Sequence, residues 1–521
     1  IAWIVWLAGA VAAVPALAAE PSGADAPARE PRATVWDAWG EARLRGIGAT
    51  QFIEDDDGRK LDQGAWMMSR LIAGGRWWFS PKLETAVELE VLNGFAAGDS
   101  TDLGKVLTER PFPVPRDDNG DLERVVPRKA YIAWTTDYGR FTAGTQTFLW
   151  GTGMLANDGA GDPAFGDPWL GNVVARLSYS LRPLETAAIP QLLRKTAFFV
   201  AADASIRDDN ASLYDGDEAF SGLVGARALD GGDALGVLFI VRDQEDREDD
   251  VRTDGRLSHT TVGIVDLHGK KTWELDDVQR LSLEAEGAIV FGNSTRPWSD
   301  ATFDEDSDVL QLGGLARLRW DHDALRLSAH LETGYASGDN DPRDNVSRTF
   351  TMHTDHNVGI VLFDHVLPLL TAHSADQLGD PGLSAVAPPS TRFAINPGGV
   401  QNAIYLNPVV RWRPLSPLEM RFGYLFAAAA ADVIDPYQTA INGGFPTNAG
   451  GIVGRRGVYG NEFDVRATWD HPMPRRALLR AGVEGGVLLP GSAFDDVPGL
   501  RPEGGGMDEI WLGRLMLSLL W

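Results

Sequence analysis

Glu509-Ile510-Trp511-Leu512-Gly513-Arg514-Leu515-Met516-Leu517-Ser518-Leu519-Leu520-Trp521 is the stretch on which the fold turns. Every second residue counted back from Trp521 gives Leu519, Leu517, Leu515, Gly513 and Trp511. The residues between them are Leu520, Ser518, Met516, Arg514 and Leu512. A period of two, with one apolar face and one face that carries a charge, describes a strand between two different solvents. Lipid on one side and water on the other is one such pair; the closing strand of a soluble sheet is the other reading.

The rest of the chain favours lipid. At 521 residues a soluble protein would divide into several domains, yet no linker breaks the composition, which includes 58 Gly, 17 Trp, 21 Phe and no Cys. The one long apolar run, 1–19, is broken at Pro15 and ends in Ala16-Leu17-Ala18. It reads as the apolar core and cleavage site of a secretory signal, followed by a Pro/Ala-rich periplasmic leader over 20–33 and a barrel over 34–521. A single amino-terminal membrane helix is the competing reading of that run. No later segment reaches about 18 continuous apolar residues, so no helical span is expected there. An exported chain without cysteine must draw its stability from a continuous hydrogen-bonded structure.

Strand-like runs recur at 34–46, 65–79, 83–93, 129–138, 140–149, 172–182, 195–206, 218–229, 233–243, 257–269, 279–292, 308–320, 324–336, 401–413, 417–428, 458–470, 475–488 and 509–521. Tight turns (Ser80-Pro81-Lys82, Asp230-Gly231-Gly232, Pro414-Leu415-Ser416) alternate with long polar connections, the longest over 337–400. The fold class expected is therefore all-β: a transmembrane antiparallel barrel of about 18 strands, with short periplasmic turns and long extracellular loops, in the bacterial outer membrane. Outward faces such as Met420, Phe422, Tyr424, Phe426 and Phe463, Val465, Ala467, Trp469 agree. So do aromatics at the strand ends, where amphipathic rings sit at a membrane boundary.

The opposite faces should line the lumen. They carry Arg43, Arg45, Arg70, Arg76, Arg176, Arg182, Arg227, Arg317, Arg319, Arg326, Arg411, Arg413, Arg421, Arg466, Arg480 and Arg514, with fewer acids, among them Glu88, Glu90, Glu332, Glu462 and Glu484. A planar guanidinium binds carboxylate or phosphate bidentately and stays charged, so such a wall favours anions. Pairing of Arg with Glu across strands is the plainer alternative. The net charge of −26 speaks against nucleic acid and is placed in outer loops: Asp55 to Asp57, Asp117-Asp118, Asp208-Asp209, Glu245 to Asp250, Asp304 to Asp306, Asp339 to Asp341 and Asp495-Asp496. These loops offer oxygen ligands through which Ca²⁺ would bridge them to one another or to lipopolysaccharide; otherwise no cofactor is expected. In the longest loop, Asp355, His356, Asn357, Asp364 and His365 flank the apolar run Val358 to Phe363. Their spacing matches no standard metal site. An apolar run in an outer loop is expected to fold inward and constrict the mouth.

The strand count and Arg-rich lumen, with HTDHNVGIVLFDHVL (353–367) and GGVQNAIYLNPVVRWRP (398–414), give a pattern that resembles the alginate-export porin family. The resemblance implies a monomeric barrel that exports an anionic polysaccharide in concert with periplasmic partners. The tight turn at His471 to Pro474 leaves no room for a periplasmic plug loop there. The alternative function is a general or anion-selective uptake porin for small solutes. No Ser or Cys constellation marks an enzyme.

Overall fold

A computed structural model describes residues 36–55, 57–105, 125–246, 257–296, 306–341, 344–380, 382–383, 391–495 and 506–521. The signal and leader expected over 1–33 lie outside them. One sheet contains β1 (Trp36–Ala49), β2 (Ala65–Ser80), β3 (Leu83–Gly98), β4 (Val126–Thr136), β5 (Gly139–Thr147) and β6 (Val173–Leu181). It continues through β7 (Thr196–Arg207), β8 (Glu218–Asp230), β9 (Asp233–Glu245), β10 (His259–Glu274), β11 (Gln279–Ser294), β12 (Ser307–His322) and β13 (Leu327–Ala336). After the two-residue β14 (Val346–Ser347) come β15 (Ala403–Leu415), β16 (Leu418–Ala429), β17 (Val458–Pro472), β18 (Leu478–Pro490) and β19 (Ile510–Leu520).

Each stave pairs antiparallel with its neighbour in sequence, and β13 pairs directly with β15. β14 lies parallel to the outer end of β12 and is no stave, so the nineteen strands make an eighteen-stave wall. Closure joins first to last, from Glu41 opposite Leu520 to Ala49 opposite Leu512. Beyond the last pair, Gly40 N–H donates to Trp521 O at 2.9 Å and Trp521 N–H returns to Gly40 O at 3.1 Å. Any Cβ on residue 40 would run into the Trp521 indole, so glycine is required where the seam shuts. A closed wall leaves no unpaired strand edge in hydrocarbon.

The period-two reading of β19 holds. Trp511, Leu515 and Leu517 point out and are exposed, Leu515 by 67%, whereas Ile510 and Leu512 are buried inside. Val87, Leu177, Leu331, Phe422, Phe463 and Val465 continue the outer belt, and Trp77, Phe79, Trp134, Phe141, Trp412 and Trp469 are exposed near the turn-side rim. The tight turns all lie at one end. One connection at that end is longer than the alternation predicts: 182–195, which holds a short helix, α1 (Gln191–Arg194).

Buried apolar mass sits inside the barrel. It centres on the connection between β13 and β15, where a π-helical turn (Leu362–Val366) runs into α2 (Leu367–Gly379). Val358, Ile360, Val361, Leu362, Phe363, Val366 and Leu369 are all at most 3% exposed. Ile360 lies beside Gly486 and Asp464, about halfway along β17 and β18. The expectation of a constriction at the mouth is thus corrected: the apolar run lies deep in the bore, where it escapes water by packing on the inner wall and on itself. A third helix, α3 (Pro436–Ile441), is capped by Asp435, whose carboxylate accepts Gln438 N–H at 2.8 Å.

Candidate functional site

The inner wall is built from the charged alternate residues of the staves, and its charges are largely paired. Glu90 is fully buried and accepts from three arginines: Arg70 Nε at 2.8 Å, Arg207 at 2.9 Å and Arg128 at 3.4 Å. Arg317 and Glu332 pair at 2.7 Å through Nε, and Glu332 also binds Tyr405 Oη at 2.8 Å and His356 Nε2 at 3.1 Å. Arg176 binds Asp203 bidentately at 2.7 and 2.6 Å. Arg480 binds Asp470 at 2.7 and 2.8 Å, Arg319 binds Asp321 at 2.8 Å, and Arg413 binds Glu419 at 2.5 Å. A buried charge left alone costs several kcal/mol, so the buried pairs, those of Glu90 and Glu332 among them, fix their members in place.

The segment 148–172, which the sequence presents only as a long polar connection, enters the bore and takes up many of these arginines. It is rich in Gly and Pro, folds irregularly and leaves its carbonyls without ladder partners. Wall arginines supply the missing donors: Arg70 to Gly159 O and Pro168 O at 3.2 and 3.1 Å, Arg421 to Pro163 O at 2.6 Å, Arg207 to Leu170 O and Arg128 to Asp158 O. Its acids complete the match. Asp167 meets Arg43 and, at 3.3 Å, Arg45. Asp162 meets Arg421 at 2.8 Å and Arg411 at 3.6 Å. Burial resists ionisation of Asp167, but Arg43, Arg45 and Arg466 outweigh it and hold the carboxyl down at about 2.

Two carboxylates clamp the inward segments together. Asp355 accepts Trp169 N–H and Gly171 N–H at 2.7 Å each and Leu170 N–H at 3.3 Å, so it ties the two inward segments to each other. Glu462, on β17, accepts Ile360, Val361 and Leu362 N–H at 2.6, 2.8 and 2.8 Å and ties the start of the π-helical turn to the wall. Asn357 accepts Asp167 N–H at 3.0 Å and donates to Thr354 O at 2.9 Å. Asp364 lies 3.5 Å from Arg514, which reaches Glu484 at the same distance. Burial pushes the Asp364 carboxyl up to about 7 against the pull of Arg514. His365 stacks on Trp66 at 5.9 Å, and burial takes its imidazole down to about 3. Asp355, His356, Asp364 and His365 thus have separate partners and do not converge on one point.

Open space lies toward the loop end. A cavity of about 550 Å³ is bounded by the outer halves of β6 to β12 and, opposite, by residues 346–353 and 393–402. Arg242 enters it bound to Asp208 at 2.7 and 3.2 Å, and Arg296 enters it bound to Asp246 at 2.7 Å. Asp208 and Asp209, expected in solvated outer loops, are instead turned inward, Asp208 buried and Asp209 partly buried. Burial disfavours the charge on Asp208, yet Arg242 and backbone N–H groups bring its carboxyl to about 2. Asp209 accepts Thr354 N–H at 3.0 Å and Thr354 Oγ1–H at 2.9 Å.

Most of the predicted lumen residues do face inward, but they do not form the open cationic wall expected. Arg466 lies 3.7 Å from Glu484; Arg76 lies between the Trp39 and Trp78 rings at 6.0 and 5.8 Å, and Arg227 over Trp150 at 5.8 Å. Arg182 and Arg326 are corrections: both are exposed in connections at the turn end, outside the staves, and Arg326 adopts a φ of 52° that the turn imposes. Arg128, Arg140, Arg207, Arg242 and Arg296 were missed. Alternation would have marked Arg140 and Arg242; a bulge at β3–β4 shifts Arg128 out of phase, and nothing in the sequence singles out Arg296. Of the acidic outer loops, 56, 117–118, 247–250, 304–305 and 496 lie outside the described residues. Asp344 pairs with Arg348 at 2.7 Å. Among the described residues no group of three or more His, Asp or Glu side chains is gathered for a cation.

An apolar belt outside, paired charges inside and all but one of the long connections at one end place the barrel in a bacterial outer membrane. No family model and no curated protein matches the sequence. Among solved structures it is similar to OprD from Pseudomonas aeruginosa at 9% identity, with a TM-score of 0.49, covering 93% of this chain and 94% of that one. OccK8 (OprE) of the same organism is 10% identical, with a TM-score of 0.48 over 93% and 98%. The channel DcaP of Acinetobacter baumannii is 12% identical, with a TM-score of 0.40 over 93% and 97%.

Proposed function

We propose that this barrel is an uptake porin for single small solutes, with a modest preference for anions, and not an exporter of polysaccharide. One observation carries the reading. Two inward segments fill the middle of the bore and are fastened there by Asp355 and Glu462, each through three backbone N–H groups. A polymer in transit needs a continuous bore, and these clamps work against one; the cavity of about 550 Å³ suits one small molecule. The anion preference is modest because the arginines are largely neutralised in place. It rests on the turn-side half, where the side chains of Arg413, Arg319 and Arg480 are 57%, 44% and 38% exposed and their field is felt by passing ions. Such a porin conducts passively and carries out no chemistry. Liposome swelling tests it: monosaccharides and small organic anions pass and dextrans do not. Passage of dextran, or cation-selective current in a planar bilayer, would overturn the proposal.

A further inference from the structure

The cavity at the loop end differs in chemistry from the arginine-lined half below it. Its hydrogen-bonding lining is mostly uncharged, with Ser221, Thr260, Gln311, Ser347, Thr349 and Gln401 representative. Side chains of this kind both donate and accept, as a run of hydroxyl groups requires. Between them lie apolar surfaces from the staves and the rings of Phe148, Phe350 and Phe393. Arg176 lies over Phe148 at 4.2 Å and Arg296 over Phe393 at 4.5 Å.

Most of the cavity's charges are committed elsewhere; the half-buried Asp432 carboxylate, also in its lining, makes no ion pair among the described residues. Arg242 has both Asp208 oxygens and, at 2.8 Å, the Gln244 amide oxygen, and Arg296 has Asp246. Asp203 has Arg176, Asp209 has Thr354, and Asp339 accepts the N–H groups of Asp341 and Arg348 at 3.0 Å each. An anionic guest would have to displace a carboxylate already seated on each guanidinium, and an ammonium guest would have to displace a donor already seated on each of these acids. A neutral polyol displaces neither.

We infer that this cavity is a binding site for neutral, polyhydroxylated solutes of mono- to disaccharide size. The inference rests on the small-solute porin reading and names the solute that its outer chamber favours. Glucose, glucuronate and glucosamine share one ring and differ in charge, so they isolate the variable. Full-length barrel in a planar bilayer is titrated with each sugar on the loop side, and block of the ion current gives occupancy. Glucose should half-block at roughly tenfold lower concentration than glucuronate or glucosamine, the scale of a discrimination that rests on unpaired charge. Asp208→Asn frees Arg242 and should reverse the order of glucose and glucuronate. Retention of the heat-modifiable folded form establishes that the variant is intact. Gln311→Leu, which removes a neutral donor and acceptor, should weaken glucose block and leave glucuronate unchanged. Equal or stronger block by either charged sugar in the unaltered barrel overturns the inference, as does absence of block by glucose. If swelling shows small solutes passing while glucose fails to block, this site alone is refuted; if no solute passes, the porin reading falls first.

Discussion

Replacing Asp355 by Asn changes one atom in the clamp between the two inward segments. The side chain keeps its volume and can keep Oδ1 on Trp169 and Leu170 N–H, but its new amide then meets Gly171 N–H donor to donor. The lost bond at 2.7 Å is charge-assisted and worth about 1.5–3 kcal/mol, and a buried donor left unmet adds about 1–3 kcal/mol. The two surviving bonds also weaken, since an amide oxygen accepts less strongly than a carboxylate. Partial hydration of the displaced segment returns some of this, leaving about 3 kcal/mol, or roughly a hundredfold in the local opening equilibrium. Native-state amide exchange reads that equilibrium directly. Peptides covering 150–172 should lose about two orders of magnitude of protection, while peptides from β8 to β12 are unchanged. The ion current should become noisier as the segment samples displaced positions. Unchanged exchange over 150–172 in a barrel that remains heat-modifiable would refute the clamp, and with it the reason for reading the bore as filled.

Three further outcomes follow from the same contacts. Asp364 in its buried place titrates near 7 instead of at its ordinary 3.8, so docking of the π-helical turn is strongest while the group is neutral in both states and weakens as pH rises from about 4 to 7; current noise should grow over that window, and Asp364→Asn should flatten it, whereas an identical profile in the variant would exclude Asp364 as the source. Asp167, held at about 2, stabilises docking above the ordinary carboxylate range and loses that contribution only as pH falls below about 4, so the two windows do not overlap. Arg411→Ala with Arg413→Ala removes two turn-side cations and leaves Glu419 to Arg421 alone; the anion-to-cation permeability ratio should drop by roughly twofold or more, and an unchanged reversal potential would show that ions do not sense this half. Gly40→Val drives a side chain into Trp521 and toward Ile72 O; folded barrel should be lost on a heat-modifiability gel and partly recovered with Trp521→Ala, and full assembly of Gly40→Val alone would show that the seam tolerates bulk.

The wall was legible because period two and turn spacing are local properties. A strand's two faces alternate within its own sequence, and hydrocarbon outside demands the same apolar face on every stave, so Leu515, Phe422 and Phe463 announce their orientation one strand at a time. Loops carry no such period. Segment 148–172 reads as polar and flexible because it is rich in Gly and Pro. It is ordered by arginines on β1, β2, β4, β7, β15 and β16 and by Asp355, all at positions far away in the chain, and the one trace of this in the sequence is the presence of Asp158, Asp162 and Asp167 in a stretch with no cation of its own.

The arginines themselves show why composition overstates the free charge of the lumen. Counting guanidinium groups on the inner face measures the charge a wall could present, whereas conduction depends on the charge left after pairing. In a narrow interior with a low effective dielectric, an unpaired Arg is expensive, so each additional cation on the wall raises the demand for a carboxylate or a carbonyl to meet it. Loops that enter the bore are the nearest supply. Arg70, Arg207 and Arg421 take backbone carbonyls and acids together, and in doing so they bring chain into the space a polymer would need. An inner face dense in arginine and loops long enough to reach it therefore make a filled bore, and the cations that remain half-exposed near the turns are those that no inward segment reaches.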